Sequence, residues 1–154
     1  MSTQVEKDLN IFLTETINYF EKYSSVNLNI GTPYPVNGSL ELFDYTGLIG
    51  ITGQRKGCLY LSTSADLLVD IAKEFLQEEN VDAELLLDVI GEVANSIAGN
   101  AQQASEKVFD ISVPVLFKGK VDKLKYQGEF PIYAVPFNLG SQKGILVVGL
   151  KDDE

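Results

Sequence analysis

Two distant stretches, "GQRKGCLYLS" at 53–62 and "GSQKGILVVG" at 140–149, share one pattern: a turn holding a lysine between two glycines, then a β-rich apolar run. Each reads as the turn and second strand of a hairpin. What precedes them also repeats. Thr3 and Glu6 stand in capping-box spacing before Val5, Leu9, Phe12, Leu13, Ile17 and Phe20, so residues 4–22 read as an amphipathic helix. A proline-bearing extended run follows at 26–36, whose prolines exclude it from the middle of a sheet. "LELFDYTGLIGIT", residues 40–52, supplies the first hairpin strand. In the second half a helix at 83–106, an extended run at 109–117 and "FPIYAVPFNLG" occupy the matching places. The chain therefore reads as one α+β domain over residues 1–154, with pseudo-repeats at about 4–63 and 83–151, each a helix followed by three strands. The expected architecture is a six-stranded sheet covered by the two long helices. Ser64 caps an additional connecting helix at 65–78, with Leu67, Leu68, Ile71, Ala72, Phe75 and Leu76 as its buried face. The terminal "KDDE" reads as a frayed tail.

Twelve basic against twenty-two acidic residues leave a net charge of −10, which repels nucleic acid and anionic membranes and favours a partner with a basic patch. No apolar run approaches the roughly 20 residues of a membrane span, and the first residues carry no leader pattern. Cys58 is the single cysteine and cannot form an internal disulfide, so a cytoplasmic location is expected. Within its strand it reads as a small core residue. The chain has no histidine. That excludes Ser-His-Asp and Cys-His nucleophile systems, histidine phosphorelay and His-ligated zinc. Lys56 and Lys143 lie in the two turns, where a lysine is as easily solvated as bound to an anion.

The long helix carries "DVIGEVANSIAGNAQQ" at 88–103. At 100° per residue Asp88, Glu92 and Asn95 share a stripe about 60° wide and roughly 10 Å long. Leu86, Ile90, Val93, Ala94, Ile97 and Ala101 take the opposite face and should pack on the sheet. Gly99 falls on the polar stripe and Gly91 borders it, each costing about 1 kcal/mol relative to alanine. Periodicity leaves two readings open. The stripe is either a solvated face, or a contact face where missing side chains let a partner's backbone come close to Glu92 and Asn95. Asn100 falls at the stripe's edge.

These residues resemble the signature helix of the CheC, CheX and FliY phosphatases of bacterial chemotaxis. There an acidic or Ser residue, three others, Glu, two others and Asn precede a later Pro, and Asp88, Glu92 and Asn95 match position by position. "LNIFLTETINYFEKYSSVNLNIGTPYPV", "LIGITGQRKGCLYLS" and "FDISVPVLFKG" extend the resemblance to CheX over most of the chain. The matching Pro is Pro114, closer to the motif than the family places it.

The resemblance implies a phosphatase acting on the phosphoaspartate of a CheY-like response regulator. It makes Glu92 and Asn95 the catalytic pair, with Asn95 holding the attacking water and Glu92 pairing with the regulator's lysine. Asp88, Gly91, Ser96 and Gly99 would touch the partner. No cofactor or metal would be bound by this chain, the Mg2+ belonging to the regulator. Single-site members resemble homodimers joined through sheet edges. Glu15 and Asn18 repeat the Glu-x-x-Asn spacing on the first helix and mark a degenerate second site. An adaptor that binds receiver domains without dephosphorylating them fits the same helix.

Overall fold

The computed structural model of the chain describes residues 3–23, 27–74, 76–125 and 131–152. Helix α1 spans Gln4–Tyr23 and starts where the capping box places it, with the Glu6 N–H donating to Thr3 Oγ1 at 3.1 Å. Strands β1 (Leu28–Ile30), β2 (Tyr34–Pro35), β3 (Ser39–Leu42), β4 (Tyr45–Gly53) and β5 (Arg55–Thr63) follow. Helices α2 (Ala65–Glu74) and α3 (Ala83–Ala104) lead to β6 (Phe109–Ile111), β7 (Val115–Lys118), β8 (Val121–Lys125), β9 (Tyr133–Leu139) and β10 (Gln142–Asp152).

The main sheet runs β1-β9-β10-β5-β4-β6, with β2 also on β9 and β7 also on β4, and every neighbouring pair is antiparallel. The expected six positions are present, and the two outer ones are each occupied by a strand broken in two. The breaks have the same cause in both halves. Between Ile30↔Phe137 and Tyr34↔Ala134, three residues including Pro33 face two on β9. Between Ile111↔Ile51 and Val115↔Leu48, three residues including Pro114 face two on β4. One extra residue per strand, with a proline that cannot donate to the ladder, makes a bulge confined to an edge.

The order also shows an exchange between the halves. The outer strand of the first half, β1–β2, pairs with the hairpin of the second, and the outer strand of the second, β6–β7, pairs with the hairpin of the first. β5 and β10 meet at the centre through a register running from Gly144↔Thr63 to Asp152↔Arg55. Neither half completes its sheet alone.

Side chains from α1, α2 and α3 close one face of the sheet: Phe12, Phe20, Leu68, Ile90 and Ile97 pack with Ile49, Leu59, Leu61 and Leu146. The other face has its own cover. β3 pairs with β8 in a separate two-stranded ribbon, and Leu40 and Leu42 bury Ala134, Ile145 and Val147. The continuous strand read over 40–52 is therefore two strands, divided at Phe43–Asp44. Asp44 holds this corner: its carboxylate accepts the Ala65 N–H at 2.8 Å and its carbonyl accepts the Gly119 N–H at 2.7 Å.

Three expectations shorten or lengthen. The connecting helix ends at Glu74 rather than 78, Leu76 is exposed, and Gln77 has a positive φ of 52°; Phe75 lies outside the described residues. The long helix ends at Ala104, with Asp82 Oδ1 accepting the Leu85 N–H at 2.8 Å at its start. The tail is not frayed at Lys151 and Asp152, which belong to β10; residues 153–154 lie outside the described residues.

Asp152 instead ends a charged chain that begins inside the protein. Arg55 and Asp8 are both buried, and the guanidinium grips the Asp8 carboxylate through both terminal nitrogens, Nη1 at 2.7 Å from Oδ1. Gln4 Nε2 donates to the same carboxylate, Asp152 Oδ1 stands 3.0 Å from Arg55 Nε, and Lys107 Nζ reaches Asp152 at 2.8 Å. The hydrogen bond to Asp8 holds the Arg55 pKa above its ordinary value against the opposing effect of burial. A buried pair of this kind adds little net stability, but removing one partner strands the other. Asp8→Ala should therefore cost about 3–5 kcal/mol in denaturant unfolding, while the apolar double variant Asp8→Leu/Arg55→Met should recover most of that loss. A loss below about 1 kcal/mol for the single variant would mean the pair is solvated.

Candidate functional site

The site is built on α3, and α3 is held by one face. Leu86, Ile90, Val93, Ala94, Ile97 and Ala101 are all buried, as the periodicity requires. The helix comes unusually close to the sheet at one place. A Cβ on Gly91 would lie 3.0 Å from Leu116 Cδ2, and a Cβ on Gly47 would lie 3.2 Å from the Ala94 Cβ. Gly47 pairs with Leu116 across β4 and β7, so the leucine side chain occupies the space that the two glycines leave. This corrects the reading of Gly91 as a residue at the contact face. It is buried, and its helix-propensity cost is offset by packing against a side chain from a distant strand.

Gly99 is different. A Cβ there would meet no atom within 4 Å. Its cost has no packing cause, and it lies on the same face as Asp88, Glu92 and Asn95, all three exposed. None of these three side chains makes a hydrogen bond or ion pair with another described residue. The structure thus brings Asp88, Glu92, Asn95 and Gly99 together on one open strip. A carboxylate and a carboxamide one helical turn apart can engage a cation and a water at the same time.

Ser96 turns to the side of the strip. With Asn100 it forms the α3 wall of a groove of about 400 Å³ whose α1 wall is Glu15, Asn18, Tyr19, Glu21 and Lys22. The second Glu-x-x-Asn pair is therefore beside α3. Glu15 is half-buried and Asn18 exposed.

The remaining candidates lie away from this strip. Burial pushes the Cys58 thiol up to about 11, so it is protonated at neutral pH, and it packs beneath the β3–β8 ribbon. Among the described residues no three His, Cys, Asp or Glu side chains are grouped so as to hold a metal ion, and no helix is long and apolar enough to cross a membrane. Lys56 and Lys143 are exposed in their hairpins. Leu116, which seats α3, escapes sequence reading, because its role depends on a pairing with Gly47 that only the sheet topology creates.

This fold has known counterparts. A CheX structure from Desulfovibrio desulfuricans superposes with a TM-score of 0.82 at 23% identity, covering 94% of this chain and 99% of that one. A CheC-like superfamily protein from Shewanella sp. PV-4 gives 0.81 at 25% identity, covering 94% and 97%. A CheX–CheY–BeF3–Mg2+ complex from Borrelia burgdorferi gives 0.74 at 22% identity, covering 94% and 97%. No curated protein sequence matches the chain. Residues 45–138, from β4 through α3 to β9, match the family model of the chemotaxis phosphatase CheX. With more than half its length so matched, the chain belongs to the CheX chemotaxis phosphatase family.

Proposed function

We propose that this protein accelerates hydrolysis of the phosphoaspartate on a CheY-like receiver domain, with Glu92 and Asn95 as the residues that enter the partner's active site. The observation that carries this reading is the open strip on α3: a carboxylate and a carboxamide that no other described residue engages, on a helix pinned to the sheet beneath them. Family membership supports the reaction class, and the related CheX caught with CheY supports the partner.

The chemistry suits a chain without histidine. Phosphoryl transfer passes through a loose transition state, so little is asked of a base and much of positioning. The Asn95 carboxamide both donates and accepts, which lets it hold a water in line with phosphorus. Glu92 pairs with a lysine of the receiver and sets the docking geometry. Asp88 extends the contact toward the start of the helix, and Gly99 lets the partner's backbone lie close to the strip. The Mg2+ is held by the receiver, as the metal that its own acidic pocket provides for the phosphoryl group.

Asn95→Ala should reduce the stimulated dephosphorylation rate by about 10²-fold or more, while binding to the receiver persists. Radiolabelled phosphoaspartate decay and a binding titration on the same samples would show it. An unchanged rate would remove Asn95 from the chemistry, and unchanged decay with the wild-type chain as well would favour the adaptor.

Gly99 offers a separate check, because stability and function should move in opposite directions. Gly99→Ala should stabilise the fold by about 1 kcal/mol, raising Tm by about 2–4 °C, yet raise KM for the phosphorylated receiver. A stabilised variant with unaltered KM would show that no partner approaches the helix there.

A further inference from the structure

The strip on α3 is small for a docking surface. Transient protein pairs still bury several hundred Å² on each side, and a standard interface takes about 20–30 residues per partner. Asp88, Glu92, Asn95 and Gly99 alone do not supply this. The footprint must continue onto a neighbour of α3. On one flank α3 is packed against β6 and β7, with Leu116 drawn under Gly91. On the other flank lies the groove shared with α1, and its α3 wall begins at Ser96, the residue next to Asn95.

The groove is polar, with Tyr19 on its α1 wall. Glu15, Asn18, Glu21, Lys22, Ser96 and Asn100 line it, and none of them makes a hydrogen bond or ion pair with another described residue. Two carboxylates against one ammonium leave it acidic, on a chain whose net charge is already −10. From the rise of 1.5 Å per residue, Asn100 stands about 7.5 Å along the helix from Asn95, well within the span of one bound domain.

We infer that the α1–α3 groove is the second half of the receiver-binding footprint, taking a basic segment that borders the receiver's phosphorylation pocket; this rests on the reading of α3 given above. Glu15 and Glu21 face the partner's cationic side chains, and Asn18, Ser96 and Asn100 supply hydrogen bonds. The groove acts on recognition. Residues here decide which receiver is held, by the charge of the segment presented, while Glu92 and Asn95 act on whichever receiver docks. The Glu-x-x-Asn pair of α1 is then a specificity element of the same complex rather than a second catalytic centre.

The test separates KM from kcat. Glu15→Lys and Asn18→Ala should each raise KM for the phosphorylated receiver, by about tenfold for the charge reversal, with kcat unchanged and with a weaker dependence of kcat/KM on salt for Glu15→Lys. Glu41→Lys, on the exposed side of the β3–β8 ribbon, makes the same change in net charge and should leave KM as it is. Equal KM for wild type, Glu15→Lys and Asn18→Ala, with wild-type turnover intact, would overturn this inference alone. A fall in kcat at constant KM would also overturn it, since α1 would then act in the chemistry. A wild-type chain that neither binds nor turns over any receiver would overturn the underlying reading, and this inference with it.

Discussion

Exchange of the outer strands is the constraint on which the rest of the molecule depends. Each half supplies a helix, a broken strand and a hairpin, and each broken strand completes the other half's hairpin. Cutting the chain between α2 and α3 would leave two hairpins with open edges and two helices with nothing flat to pack on. The exchange also sets β5 against β10 at the centre of the sheet, which brings Arg55 beside Asp152 and under Asp8 of α1. A single buried cation then ties the first helix to both central strands. The helices lie on one continuous face because the sheet beneath them belongs to both halves.

The same sheet determines where α3 sits. Gly47 on β4 and Gly91 on the helix leave a gap, and Leu116 of β7 fills it. Since β7 reaches β4 through the exchange, the second half seats its own helix by way of the first half's hairpin. The polar strip is presented at a fixed height, without dependence on a loop. For the proposed chemistry, which relies on placing one water and one carboxylate, rigidity of the supporting helix is the main requirement. The two glycines differ in surroundings: Gly91 is filled against by Leu116, and Gly99 has open space around it.

Much of this was legible in the residues themselves. The two long helices announce their buried faces by spacing, and Thr3 stands where the first turn of α1 needs an acceptor. Pro33 sends its strand to the edge, because a missing N–H is a local property. The β3–β8 ribbon was not legible. "VDKLK" looks like solvated loop, and Leu40 and Leu42 alternate as well for a ribbon as for the start of β4. Nor was the exchange, since antiparallel hairpins of either half offer the same edges to any partner strand. Gly91 was misplaced for the same reason: its explanation is Leu116, 25 positions away in sequence and adjacent only after folding. On the site, Asp88, Glu92 and Asn95 read from helical spacing fall together on the open face, whereas the groove with Ser96, Asn100, Glu15 and Asn18 required knowing that α1 lies alongside α3.

A chain with no histidine and a protonated cysteine keeps few means of catalysis, and a positioned amide beside a carboxylate is one of them. The most direct measurement is multiple turnover: phosphorylated receiver in large excess over this protein, Mg2+ present, and inorganic phosphate followed in time. The account predicts release of many phosphates per chain at a rate well above the receiver's own decay. Decay at the receiver's own rate with the complex demonstrably formed would contradict it.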